Sequence, residues 1–417
     1  MARRSADPAS PAREPLPTGF WIIWFTIVID MIGFGIAIPV LGPYVEDRFG
    51  ASLGDHLGLY VSLLGSAFSL AQWIVAPVMG RLSDRYGRKP VIVVSLFGTA
   101  IASALTGAAN AFWLVLAARL FDGASGASIG VAQAAVADIA PPRRRAALMG
   151  MVGAAFGVGF TVGPAIGALA SRFGGRRAPF YVAALIAFVN AVVAIVRLPE
   201  TKGSMVHDEA AEPAGSPQLA RTWRDNGLPR LLIVSLVATF AFSAFEQMFT
   251  IFGKRGINGF TQESAGWAFV IVGVVVSVVQ GALVGRARIR FGELPLLRYG
   301  LMTTAAGMAV LALTTSWLLL VPALVLLSAG QGFASPTMTA AVTNRIAPDR
   351  RGALMGVQQS WNSLARVLGP LAGGLAFDHI GISAPFVANA ALFGVASLLT
   401  LRVVQRSTDR VARTTTA

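Results

Sequence analysis

The sequence predicts an all-α integral membrane protein of twelve transmembrane helices in two pseudo-symmetric six-helix halves. Three observations predict it. Of the 417 residues, 55% are hydrophobic and 13% charged, whereas a soluble chain is roughly 45–50% apolar and about 25% charged. The chain also divides into twelve apolar runs of about the 20 residues needed to cross a bilayer. Finally, the second half repeats the first at an offset of 206 residues.

The spans are expected at 18–42, 57–80, 90–109, 112–138, 147–170, 178–197, 229–252, 264–285, 295–314, 317–342, 352–376 and 383–404. Most connections are short, so successive helices run antiparallel. The exception is 198–228, where His207, Asp208, Glu209, Glu212, Pro213 and Gly215 mark a polar, flexible linker. The expected organisation is a tail over 1–17, an N-terminal bundle over 18–197, the linker over 198–228, a C-terminal bundle over 229–404 and a tail over 405–417. The 45 glycines and many alanines suit helices that pack closely in lipid.

The repeat is specific. Pro142, Arg144, Arg145, Ala147, Leu148, Met149 and Gly150 fall on Pro348, Arg350, Arg351, Ala353, Leu354, Met355 and Gly356. The same offset lays Gly163-Pro164 on Gly369-Pro370, and Ala178-Pro179-Phe180 on Ala384-Pro385-Phe386. Parallel repeats of this kind build transporters whose halves rock about a midplane site.

An even number of spans puts both termini on one side. The tails and even-numbered loops hold 26 of the 34 Lys and Arg residues, and the other face holds six. The positive-inside rule therefore expects both termini in the cytoplasm of a multi-pass cell (inner) membrane protein. Arg172, Arg176 and Arg177 run against this rule, and the sequence offers no account of them. The net charge of +14 belongs to this asymmetry rather than to nucleic-acid binding. The absence of Cys excludes disulfides and thiol chemistry, and three scattered His make a His-built metal site unexpected. No HExxH pair, GxSxG elbow or Walker loop is present, so neither an enzyme nor a self-contained ATP-driven pump is expected.

Four motifs carry the function. Gly80-Arg81-Leu82-Ser83-Asp84-Arg85-Tyr86-Gly87-Arg88-Lys89 lies between the second and third spans. It closely resembles motif A of the major facilitator superfamily. The resemblance implies that Asp84 is a latch facing Gly352–Gly356 in the outward-open state, with Arg88 bracing the loop and Gly80, Arg85 and Gly87 completing it. Its counterpart at Gly285-Arg286 to Gly292 has Ile289 in place of the acid. Gly159, Gly163, Pro164, Gly167 and Ala168 resemble motif C, which in this superfamily marks antiporters. The same residues also suit plain close packing of helices. Arg119-Leu120-Phe121-Asp122-Gly123 resembles motif B, whose arginine the family assigns to proton coupling. Arg119 and Asp122 are one helical turn apart and can pair, for coupling or for structure alone.

Asp30-Met31-Ile32-Gly33-Phe34-Gly35 and Pro39-Val40-Leu41-Gly42-Pro43 look like the first-helix motif of tetracycline-efflux and related drug:proton antiporters. An ionised carboxylate is costly in mid-span. Asp30 is therefore the first candidate for binding a proton or a cationic substrate, against a purely structural buried acid. In the second half Glu246, Gln331, Gln358, Asn362 and Arg366 are candidates for the substrate cavity. Gln358 and Asn362 share a helix face, and Arg366 is equally suited to a structural pair.

The resemblance implies the superfamily fold and a secondary transporter that works by alternating access. It would export small amphipathic molecules in exchange for protons, in the manner of tetracycline-like drug efflux. The expected partners are protons, a small-molecule substrate and the bilayer, acting on a monomer. The proton gradient supplies energy and no cofactor is expected. A same-fold exporter or importer of an endogenous sugar, amino acid or siderophore is the alternative.

Overall fold

A computed structural model describes residues 16–17, 19–126, 128–141, 144–202, 227–345 and 351–414. The described residues form twelve helical units and no strand. The N-terminal half contains α1 (Phe20–Leu53), α2 (Leu57–Tyr86), α3 (Arg88–Ala108), α4 (Phe112–Ser125 and Ser128–Ile139), α5 (Arg145–Gly174) and α6 (Ala178–Arg197). The C-terminal half opens with α7 (Leu228–Gly256). Next comes α8, which runs from Gln262–Val278 through a π turn at Val279–Leu283 into Val284–Phe291. It closes with α9 (Glu293–Ala312), α10 (Trp317–Thr343), α11 (Arg351–His379) and α12 (Ala384–Thr414).

Each expected span is found, with differences in form: the first helix runs on to Leu53 and the last to Thr414, well past the expected ends at 42 and 404. The fourth is two helical segments, Phe112–Ser125 and Ser128–Ile139, on either side of residue 127, which lies outside the described positions. The eighth continues to Phe291 rather than stopping near 285. By length and apolarity alone ten runs qualify as spans. One of these, Phe20–Tyr86, holds both α1 and α2. α11 misses the apolarity that the others have, since it carries Gln358, Gln359, Asn362 and Arg366.

Motif C is the seam between α1 and α5. A Cβ at Gly163 would stand 2.6 Å from the Ile32 carbonyl oxygen and 2.7 Å from the Gly35 Cα. Gly159 lies against Met31, and Gly167 against Ile36. Only a residue without a side chain permits this approach. The repeat reproduces the seam in the second half, where Gly369 lies against the Phe240 carbonyl and Ser243 of α7.

The start of α1 and the end of α12 lie on one face, here the terminal face; the opposite face is distal. The larger apolar core joins the distal parts of α1 and α2 to the C-terminal half, through Val40, Tyr44, Val61, Phe245 and Phe249 among others. A second core, containing Phe20, Ile23, Val91, Leu148 and Leu198, belongs to the N-terminal half alone and lies toward the terminal face. Hydrogen bonds follow the same division. Ser66 Oγ donates to the Val367 carbonyl at 2.7 Å, and Gln247 Nε2 donates to the Val61 carbonyl at 3.1 Å. Among the described residues, the hydrogen bonds and ion pairs that join the halves lie at mid-depth and distally, and none crosses at the terminal face.

Candidate functional site

Asp30 lies about a third of the way along α1, on the side that faces α4. Arg119 and Asp122 lie on the first segment of α4, and their spacing of three residues puts them on one face. Arg119 Nη1 donates to Asp122 Oδ2 at 2.7 Å. The guanidinium also sits over the Phe68 ring of α2, with Cζ 4.4 Å from the ring centroid. Such stacking adds about 2 kcal/mol when the site is desolvated. Arg119 is only 8% exposed, and its Nε has no hydrogen-bond partner.

Asp30, Arg119 and Asp122 line one narrow cavity with Phe34, Phe68, Thr99, Ser103 and Gly126. Within it the two carboxylates differ. Asp122 is neutralised by Arg119. Asp30 has no hydrogen bond or ion pair to another described residue, and its side chain faces the cavity. One cation therefore serves two acids, so ionising both leaves one negative charge unbalanced. Binding one cation at Asp30 restores neutrality.

The C-terminal candidates do not line this cavity. Glu246 on α7 and Arg366 on α11 are near enough to attract each other but are not in ion-pair contact. Gln358 Nε2 donates to Ser235 Oγ at 3.0 Å, and Ser235 Oγ donates to Asn362 Oδ1 at 3.1 Å. The face that Gln358 and Asn362 share is thus a seam against α7 rather than a cavity wall, because one serine hydroxyl engages both amides. Gln331 is half-buried on α10. The described groups that line the cavity with Asp30 all come from the N-terminal half.

At the terminal end of α2, motif A is a tight turn around Arg88. Gly87 has φ +105°, which favours glycine. Arg88 donates to Asp84 at 2.6 Å, to Ser83 Oγ at 2.6 Å and to Asp138 of α4 at 2.9 Å. Asp84 is the exposed partner, with 63% of its side chain accessible. Arg85 lies outside this network, with its guanidinium over the neighbouring Tyr86 ring. The expected latch partner, Gly352–Gly356, falls partly on side chains outside the described positions (351–353, with all of 346–350), and among the described residues the ion-pair partner of Asp84 is Arg88.

The sequence reading missed Glu200. Its carboxylate accepts the backbone amides of Arg88 at 2.8 Å, Lys89 at 3.2 Å, Thr201 at 3.0 Å and Lys202 at 2.9 Å. Lys202 Nζ donates to the Arg85 carbonyl at 2.6 Å. Burial raises the Glu200 pKa, but the amides of Lys202, Arg88, Lys89 and Thr201 outweigh it and hold the carboxyl below the usual glutamate range. The first residues after α6 are therefore docked on motif A, which corrects the flexible linker expected from 198 onward. Residues 203–226 lie outside the described positions. The only sequence signal was the one acid between Leu198-Pro199 and Thr201-Lys202.

Comparison with known proteins agrees with this architecture. The family model of the Major Facilitator Superfamily matches residues 23–289 and 256–416. The class C tetracycline resistance protein of Escherichia coli is 30% identical over 354 residues, covering 84% of this chain and 87% of that protein. Multidrug resistance protein 2 of Bacillus subtilis is 28% identical over 400 residues, covering 95% and 97%. Among solved structures, a POT family transporter in complex with 5-aminolevulinic acid superposes with a TM-score of 0.77 at 12% identity, covering 94% and 96%. The human organic anion transporter superposes at 0.67 with 24% identity, covering 92% and 98%. Fold, repeat, motifs and family model converge, and the chain belongs to the Major Facilitator Superfamily of membrane transporters.

Proposed function

We propose that this transporter exports small amphipathic molecules in exchange for protons, from a cytoplasm that its terminal face adjoins. The observation that carries the reading is the Asp30 carboxylate, unpaired among the described residues, in a cavity where the one guanidinium among the described lining residues is already committed to Asp122. In that cavity a proton and a cationic group on the substrate compete for the same charge. Coupling requires that each be bound with different affinity in the two conformations. Phe34 and Phe68 give the cavity an apolar, aromatic wall suited to an amphipathic ligand. The relatedness to tetracycline and multidrug resistance proteins supports drugs over sugars as the substrate class. The positive-inside count supports the orientation.

Overexpression in an efflux-deficient bacterium, scored against a panel of antibiotics and dyes at two external pH values, tests the reading. The expected result is a raised inhibitory concentration for amphipathic members of the panel, larger at the more acidic pH. Unchanged resistance to every compound, with the protein present in the membrane, would contradict it.

A further inference from the structure

We propose that Glu46 and Asp47 of α1, with Lys254 and Arg255 of α7, form an ionic lock that holds the distal face shut while the terminal face is open. The proposal rests on the alternating-access reading above. α1 has 34 residues, which is about 51 Å of helix, against a hydrocarbon core of about 30 Å. Its distal end therefore projects beyond the apolar layer, where charged side chains are tolerated. There Lys254 Nζ pairs with Asp47 and lies 3.3 Å from Glu46 Oε2, and Arg255 Nε lies 3.0 Å from Glu46 Oε1. These pairs cross from one half to the other. They are also sheltered, since the side chains of Glu46 and Asp47 are 16% and 18% exposed. A shared, part-buried network holds more firmly than isolated surface pairs.

The neighbouring contacts show why this is a lock rather than general glue. Arg176, which the charge rule left unexplained, lies 3.0 Å from Asp47 within the same half. When Lys254 leaves, Asp47 keeps a cation, which lowers the cost of opening. Among the described residues Glu46 has no such partner in its own half, so it is released to water. Two further contacts cross the same face. Arg172 lies 3.5 Å from Glu263 of α8. Asp378 of α11 accepts the Gly58 and Leu59 amides at the start of α2, at 2.8 and 2.7 Å. All of these must separate if the halves rock open distally.

The chain has no cysteine, so spin-label pairs can be placed without background. One pair, Ala51→Cys with Asn258→Cys, spans the distal face. The other, Val78→Cys with Gln359→Cys, joins exposed positions of the two halves toward the terminal face. Distances are measured by pulsed electron resonance on the full chain in lipid nanodiscs, alone and with tetracycline. Asp47→Asn and Lys254→Gln are each expected to raise the long-distance distal population about two- to fivefold and to shorten the terminal-side distance in step. The double variant should add little to either single one. Glu46→Gln replaces Lys254→Gln if the latter does not fold. The lock is overturned if the unvaried protein shows two distal distances whose populations ignore all three substitutions. It is equally overturned if the distal pair lengthens with no change at the terminal side. If no sample shows a second distance in either pair, the alternating-access reading falls with it.

Discussion

At the scale of single residues, function and structure divide between carboxylates of the same chemistry. Asp122 and Glu200 are fully partnered, one by a guanidinium and the other by four backbone amides. Asp30 alone faces its cavity without a partner. The partnered acids make stability claims that can be checked. The folded-state pKa of Glu200 is depressed. Its contribution is therefore fully present above the unfolded value of about 4.3 and is lost as pH falls through the folded value. Glu200→Gln should lower the melting temperature of the detergent-solubilised protein at pH 7, with the gap to the parent closing in acid below about pH 4. A constant gap across that range would show that the carboxylate charge is not what holds the motif A turn.

At the scale of helices, the small-residue motif on α5 is a packing device placed directly behind the acid on α1. Gly159 and Gly163 meet Met31 and Ile32, the two residues that follow Asp30. The position of Asp30 is thus set by a seam that admits no side chain. Gly163→Val should destabilise the protein by about 1–3 kcal/mol through overpacking and reduce transport in proportion to the displacement of α1. Wild-type melting and wild-type transport in that variant would show that the seam has slack. Much of this was legible in the sequence. The spans followed from apolar runs, the seam from glycine spacing, and the Arg119–Asp122 pair from its one-turn separation. The docking of Glu200 on the amides of Arg88 and Lys89 was not legible. A backbone-accepting carboxylate leaves no pattern in side-chain types, and its partners lie more than 110 residues away in the chain. Gln358 and Asn362 misled for a related reason. Their shared face was read correctly, but the sequence does not say whether a polar face meets a cavity or a serine of the next helix.

At the scale of the whole molecule, the repeat visible at offset 206 becomes two bundles whose hydrogen bonds and ion pairs to each other, among the described residues, lie at mid-depth and distally. The sequence carried the two halves and the expected sidedness. It could not carry the conformation, which depends on contacts such as Lys254 with Asp47 between residues that no motif links. The site is asymmetric although the scaffold is not. The acid–arginine–acid cavity lies wholly in the N-terminal half, while Glu246 and Arg366 stand in the other half without direct contact.

The most direct test of the account is substrate movement driven by an imposed pH gradient in proteoliposomes, compared for the parent protein and Asp30→Asn. The account predicts that an amphipathic compound to which the protein confers resistance is taken up into the acidic lumen of inside-out-oriented vesicles by the parent protein. In the Asn variant that gradient-driven movement should disappear, with unchanged incorporation into the bilayer. Gradient-driven accumulation that persists in the Asn variant would contradict the claim that this carboxyl is where proton and substrate are exchanged.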